Sequence, residues 1–326
     1  MFTTTDVPGQ RAVGVIMIGP RGVGKTSLLT AIYDQFQRVV SPTGLVVRPE
    51  GRTATLLQTY REELRRFAHG LTYDPGIAGN KTINDHVLTI GTPRAPAPEL
   101  RLNITDIAGE ALTEADSHLR ARFAQALAAS AVVFVAIDTP ALMEDGGVRH
   151  DEVNKSELIT DVLREAVSHQ PNLLVVLVPL KSEKYAQQPE LLRQLHQRVR
   201  IAYQPLLDFL GSLQTARAAV VLTTAQTVGS MVYSRLDRET GEELFVLRAL
   251  RQEYSPQDTD QPLRWMLRFV LNAYRDRPRG PLEWLRDALL GTNRAFAAAA
   301  RTFTADCKEG VDGFAILLYH DYLGAL

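Results

Sequence analysis

The pattern of apolar positions along the chain predicts short buried strands separated by helices. The strand-like runs are rich in Val, Ile and Leu, which is typical of strands buried on both faces of a parallel sheet. These runs lie at residues 13–18, 86–90, 100–105, 131–137, 173–178 and 218–223. Helical periodicity falls between most of them, at residues 25–37, 111–128, 153–168 and 189–210. This alternation predicts a doubly wound, three-layer α/β fold with a mostly parallel sheet.

Two stretches modify this simple alternation. The runs at 86–90 and 100–105 are joined by a short Pro-rich link, which predicts a hairpin and hence one antiparallel strand on the sheet. Residues 38–80 form a long interval after the first helix, and residues 52–69 within it have helical periodicity. We therefore expect an insertion at this point of the core.

The second half of the chain carries further elements. Residues 231–248 predict two short strands about a polar turn, and helical segments follow from residue 262. We expect a core with its insertion, a β-hairpin insertion and a C-terminal helical extension. The corresponding residues are 11–230 for the core, about 38–80 for its insertion, 231–261 for the hairpin insertion and 262–326 for the extension.

Composition and charge exclude several classes of protein. The 326 residues include 36 Lys and Arg against 37 Asp and Glu, so there is no basic excess that would indicate nucleic-acid binding. Cys307 is the only cysteine, so we expect neither a disulfide framework nor a cysteine metal site. The N-terminus lacks a secretion signal and the longest apolar runs fall short of the about 20 residues that cross a bilayer. We therefore expect a cytoplasmic protein without a transmembrane segment.

A phosphate-binding motif follows the first strand. The sequence GPRGVGKT matches G-x-x-x-x-G-K-[ST] between a predicted strand and a predicted helix, the context that this P-loop motif requires. Glycines let successive amides face an anion, the lysine reaches the β- and γ-phosphates, and the threonine hydroxyl binds Mg²⁺. The predicted phosphate-binding residues here are Gly19, Arg21, Gly22, Val23, Gly24, Lys25, Thr26 and Ser27.

A second motif, DIAGE at residues 106–110, follows the strand at 100–105. An aspartate at the end of a neighbouring strand can hold the Mg²⁺ shell, so Asp106 joins Thr26 as a predicted metal residue. The two residues between Asp106 and Gly109 are expected to bring the Gly109 amide close to a γ-phosphate. Each motif supplies the context that the other lacks.

In these motifs and their order, residues 11–230 resemble the Ras-like GTPases of the translation-factor-related class. The resemblance implies GTP and GDP as ligands, Mg²⁺ as cofactor, and Glu110 at the position that orients the attacking water. A carboxylate there adds negative charge beside the phosphate, which implies slow hydrolysis. Arg21 replaces a glycine of Ras-type switches, so it either supplies charge to the γ-phosphate, crowds the site or points to solvent.

The resemblance also assigns the residues that read the base. Lys181 and Glu183 stand where the family has Asn-Lys-x-Asp, with Leu180 in place of the asparagine. Ala225 and Gln226 stand in the last family loop, where the Ala225 amide would face the guanine O6. These four residues favour guanine over adenine.

A threonine that closes over the metal completes the family pattern. Thr82 occupies that place just before the second strand, and Thr43 and Thr53 are competitors. The insertion could also supply a cation to the site, with three candidates that the sequence does not separate. They are Arg48, Arg52 and Lys81.

Three segments resemble the bacterial double-GTPase proteins of conflict systems: VPLKSEKY, TTAQTVG and QPLRWMLRF. This resemblance implies effector or regulator proteins as partners, a second GTPase among them, in bacterial signalling or defence. Two alternatives stay open. The P-loop also suits an ATPase or nucleotide kinase, and a non-hydrolysing scaffold would hold its nucleotide as a structural ligand.

Overall fold

The computed structural model describes most of the chain. The described residues are 12–39, 43–70, 83–93, 100–107, 117–167, 172–213, 217–237, 239–249, 253–275 and 294–326. No helix within these ranges is long and apolar enough to cross a membrane.

The described strands form one eight-stranded sheet and one separate hairpin. The strands of the sheet are β1 (Ala12–Ile18), β2 (Val46–Pro49), β3 (Asn84–Gly91), β4 (Leu100–Asp106), β5 (Ser130–Asp138), β6 (Asn172–Leu180), β7 (Arg217–Thr223) and β10 (Phe314–Leu318). Their spatial order is β10-β7-β6-β5-β1-β4-β3-β2. The hairpin pairs β8 (Met231–Leu236) with β9 (Glu243–Leu247).

The centre of the sheet is parallel, from β7 through β6, β5 and β1 to β4. β3 is antiparallel to β4, as the Pro-rich link predicted. All nine residues of β6 are buried because helices cover both faces of the sheet, and the eight residues after Asn172 are apolar. The predicted three-layer α/β fold with a mostly parallel sheet is confirmed. The structure adds two strands that the pattern did not reveal: β2 and β10, the latter antiparallel to β7.

The helices follow the predicted order with different ends. They are α1 (Lys25–Val39), α2 (Arg52–Ala68), α3 (Ser117–Ala128), α4 (Thr139–Met143), α5 (His150–Asn154), α6 (Ser156–Val167), α7 (Pro189–Ala202), α8 (Gln204–Ser212), α9 (Gln261–Arg275) and α10 (Arg294–Ala305). The helix predicted at 52–69 is confirmed as α2. The single helix predicted at 189–210 is divided at Tyr203. Pro205 lies in the first turn of the second part, where proline is tolerated, whereas it would disrupt the interior of one continuous helix.

Alternate residues of each central strand serve two cores. In β5, Val132 and Phe134 pack into a core with α1, α9 and α10, whereas Val133 and Val135 pack on the other face with α6 and α7. The residues assigned to the C-terminal extension thus share the core of the sheet and supply its edge strand β10.

The hairpin and the end of α2 form a smaller core of their own. Leu64, Phe67 and Ala68 of α2 pack with Met231 of β8 and with partly buried Phe245 of β9. The Phe67 and Phe245 rings meet edge to face, with centroids 5.6 Å apart. This contact connects the core insertion to the β8–β9 hairpin.

Candidate nucleotide-binding site

The glycine-rich loop lies between β1 and α1, at the carboxyl end of the parallel strands. Gly19 has φ +146°, and a Cβ at this position would lie 2.5 Å from the Ala136 carbonyl oxygen of β5. Gly24 has φ +103°, a conformation that residues with side chains rarely adopt. The loop therefore needs glycine at both positions in order to pass closely over the sheet.

Lys25 begins α1 and curves back over this loop. The residue is buried, and its Nζ donates hydrogen bonds to the carbonyl oxygens of Gly19, at 3.0 Å, and Pro20, at 2.9 Å. These contacts hold the ammonium group beside the loop amides at the helix N-terminus, where an anion is favoured. Val23 is fully buried, while Arg21 and Gly22 occupy the exposed turn of the loop.

The structure brings Thr26 and Asp106 together across 80 positions of sequence. Thr26 Oγ1 donates to Asp106 Oδ2 at 2.7 Å, because β4 runs parallel to β1 and ends beside the start of α1. A hydroxyl and a carboxylate oxygen in contact are the hard donors that Mg²⁺ prefers. The residues present therefore fit a magnesium ion at this point.

Other predicted residues near the phosphates have separate outcomes. Thr82, Gly109 and Glu110 lie outside the described residues, as does Lys81.

The two threonines that compete with Thr82 are described. Thr53 is buried and its Oγ1 accepts a hydrogen bond from the Val87 amide at 3.0 Å, so its hydroxyl links α2 to β3. Thr43 Oγ1 accepts from the Leu45 amide at 3.4 Å in a turn. The threonines competing with Thr82 thus have local structural contacts. Ser27 is partly exposed in the first turn of α1, and Arg48 and Arg52 are exposed.

Lys181 lies directly after β6, in the left-handed backbone region with φ +55°. Its Nζ donates to Asp138 Oδ2 at 2.7 Å and to Glu243 Oε2. Burial alone would lower the pKa of Lys181, but the two carboxylates outweigh it and hold the pKa above its ordinary value. Lys181 is therefore a charged residue fixed between β5 and the hairpin.

Glu183 faces the interior, contrary to what its predicted contact with the base requires. The residue is 3% exposed, and its Oε1 accepts hydrogen bonds from the amides of Val228, at 3.1 Å, and Gly229, at 3.4 Å. Burial raises the pKa of this carboxyl group, although the backbone donors oppose the rise. Glu183 thus stabilises the position of the loop that follows β7 through hydrogen bonds to its amides.

The Ala225 amide also differs from its expected role. It donates to the Pro179 carbonyl oxygen at 3.2 Å, which extends the pairing of β6 and β7. The Gln226 amide donates to the Gln257 carbonyl oxygen at 3.0 Å, and Nε2 of Gln226 donates to Oε1 of Gln257 at 3.1 Å. The contacts that the resemblance assigned to guanine are therefore occupied within the protein.

Sequence reasoning missed two carboxylates on this side of the site. Asp138 ends the apolar run of β5, and an acidic residue at the end of a buried strand could have indicated it. Glu243 begins β9, and its distance of 62 positions from Lys181 left no sequence signal.

Comparison with known proteins gives a family and a distant structural likeness. A family model described as Double-GTPase 2 matches residues 11–208. Among solved structures, the chain resembles an ADP-ribosylation-factor-like GTP-binding protein, the small COPII coat GTPase SAR1 from Encephalitozoon cuniculi, in complex with GDP. The identity is 11%, the match covers 91% of this chain and 82% of that chain, and the TM-score is 0.29. No curated protein matches the chain.

Proposed function

The chain belongs to the Double-GTPase 2 family, and from that premise we propose that it is a GTP-binding molecular switch that hydrolyses GTP slowly with Mg²⁺. The observation that supports this most directly is the contact of Thr26 with Asp106 beside the glycine-rich loop and Lys25. Groups from two separate motifs, which the sequence predicts to bind phosphate and metal, meet there.

The roles of the phosphate-binding residues follow from their positions. The backbone N–H groups of residues 19–26, except Pro20, which has none, and that of Gly109 donate hydrogen bonds to the phosphates. The Lys25 ammonium exchanges its carbonyl partners for phosphate oxygens. Ser27 adds a donor in the first turn of α1. The amides of the glycine-rich loop are held in place by the backbone, so they need little reorganisation when the anion binds.

Thr26, Asp106 and Thr82 would hold the magnesium ion. When bound, Mg²⁺ neutralises charge on the β- and γ-phosphate oxygens. Glu110 positions the attacking water by accepting its hydrogen bond. Arg21, on the exposed turn of the loop, supplies positive charge to the γ-phosphate. The negative charge of Glu110 beside the phosphate is the reason for slow turnover.

Hydrolysis would act as a switch through the segments around Thr82 and Gly109, which lose their contact with the γ-phosphate. The surface that changes is the one that protein partners recognise. We propose effector or regulator proteins as these partners, a second GTPase among them, acting in the cytoplasm in bacterial signalling or defence.

Nucleotide preference tests this function. We expect purified protein with Mg²⁺ to bind GTP at least about tenfold more tightly than ATP, and to release phosphate from GTP slowly. Equilibrium titration with both nucleotides and a phosphate-release assay measure these quantities. Tighter binding of ATP would favour an ATPase or nucleotide kinase. Intact GTP that co-purifies and never turns over would favour a structural ligand.

A further inference from the structure

The ion cluster of Lys181, Asp138 and Glu243 brings the hairpin onto the carboxyl ends of β5 and β6. Lys181 Nζ contacts Oδ2 of Asp138 and Oε2 of Glu243. The three side chains are 14%, 4% and 18% exposed in that order, so the cluster is largely but not completely withdrawn from water. Glu243 belongs to β9, which follows β7, the last parallel strand of the sheet, in the chain.

This cluster adjoins the phosphate loop. Asp138 ends β5, and the Ala136 carbonyl oxygen of the same strand lies so close to Gly19 that a Cβ there would clash. Lys181 directly follows Leu180, whose side chain would lie 3.9 Å from a Cβ at Gly24. A nucleotide with its phosphates on the loop would therefore extend its sugar and base towards the strand ends that carry this cluster.

The acidic residues on this side differ in what their oxygens already bind. Asp138 Oδ1 accepts from the Ala141 amide at 2.9 Å and its Oδ2 accepts from Lys181. Glu183 is bound to loop amides in the interior. Within the described part of the chain, Glu243 uses Oε2 for Lys181 while Oε1 receives no hydrogen bond. Glu243 thus has accepting capacity left and is partly exposed, whereas Glu183 is buried against the amides of its loop.

The backbone of Lys181 supports a functional reason for the cluster. A lysine in the left-handed region is uncommon, and such conformations persist where the surrounding contacts fix them. Here both carboxylates fix the lysine, and the lysine in turn fixes the position of Glu243. A preorganised acceptor is what recognition of a specific hydrogen-bonding edge requires.

On the basis of the GTP binding proposed above, we propose that Glu243 reads the guanine base, accepting hydrogen bonds from its N1–H and 2-amino groups, with Lys181 as the positioning residue. Adenine presents an acceptor at N1 and no 2-amino group, so a carboxylate at this place disfavours it. The hairpin β8–β9 then supplies the base specificity that the family pattern places at Glu183.

The substitution Glu243→Gln tests this assignment by changing the nucleotide that is preferred. With its amide oxygen kept on Lys181, a glutamine places its amide NH₂ where Oε1 of Glu243 lay. This donor suits the O2 of xanthine but opposes the 2-amino group of guanine. We expect the ratio of GTP affinity to xanthosine triphosphate affinity to fall about tenfold or more. Equilibrium titration of wild type and variant with both nucleotides gives this ratio directly.

Glu242→Gln is the matched control, because Glu242 is an exposed neighbour on the same hairpin and its substitution should leave the ratio unchanged. Glu183→Gln is the competing variant, and thermal melting verifies that each variant is folded. The inference is overturned if Glu243→Gln leaves the ratio of GTP to xanthosine triphosphate affinity unchanged, or if Glu183→Gln lowers that ratio instead. In either case, GTP binding by the wild type leaves the proposed function intact. Wild-type preference for ATP would instead remove the premise itself.

Discussion

Asp106 is the residue on which the proposed magnesium site depends. It is 3% exposed and accepts the Thr26 hydroxyl at 2.7 Å. Asp106→Asn keeps an oxygen that can accept this hydrogen bond but removes the negative charge. We therefore expect the fold to survive while the Mg²⁺ concentration needed for tight nucleotide binding rises about 10- to 100-fold. Magnesium titration of nucleotide affinity measures this change.

Asp85→Asn provides the comparison for that experiment. Asp85 is an exposed carboxylate on the neighbouring strand β3, where it accepts from Thr105 Oγ1 at 2.9 Å. Its loss should leave the magnesium dependence unchanged. If Asp106→Asn binds nucleotide with the wild-type magnesium dependence, Asp106 does not belong to the metal shell.

At the scale of elements, the hairpin is held by its contact with α2. Phe245 of β9 meets Phe67 of α2 and lies 6.1 Å from the Tyr233 ring of β8. Phe245→Ala removes a partly buried ring from both contacts and should destabilise this unit by about 1–3 kcal/mol. Hydrogen exchange should accelerate at residues 231–247 and at the end of α2 together.

Val246→Ala is the control on the same strand, since Val246 is 49% exposed and touches little of this small core. We expect its exchange pattern to match the wild type. Faster exchange in the hairpin of Phe245→Ala with an unchanged α2 end would show that the two elements are not coupled.

The elements that sequence patterns predicted are those that a local signal defines. The run NLLVVLVPL identifies β6 and the spacing GPRGVGKT identifies the phosphate loop, because in each case neighbouring residues carry the whole signal. β2 has only four residues, VVRP, with an arginine and a proline among them, so its sequence gives no clear strand pattern. It is a strand because it pairs with β3. β10 depends similarly on pairing with β7, more than 90 positions earlier.

The same distinction between local signals and distant contacts applies to the candidate site. The position of Glu183 three residues after the end of β6 is a local property that the sequence alone contains. Its orientation depends on the Val228 and Gly229 amides, more than 40 positions away, which no local pattern contains. The contact of Glu243 with Lys181 likewise depends on where the whole hairpin packs. Tertiary placement therefore decides which polar groups meet at the carboxyl ends of β5 and β6.

At the scale of the whole molecule, the C-terminal segment is part of the same core as the phosphate-binding strands. Trp265 and Phe269 of α9 pack in one cluster with Val15 of β1 and Val176 of β6. Thr224 donates through both its amide and its hydroxyl to the Gly313 carbonyl oxygen, at 3.0 Å in each case. The end of the chain thus supports the loop that follows β7.

Tyr322 makes this continuity testable. It is 2% exposed, its ring meets Phe269 with centroids 5.6 Å apart, and its carbonyl oxygen accepts from Asn272 Nδ2. Tyr322→Ala should cost about 3–5 kcal/mol of unfolding free energy, whereas Tyr319→Ala, at a residue 61% exposed, should change it by less than about 0.5 kcal/mol. If one cooperative unit unfolds, denaturant titrations followed by tryptophan fluorescence and by loss of bound nucleotide shift together. Nucleotide release that stays at the wild-type denaturant concentration would instead identify residues 262–326 as a separate domain.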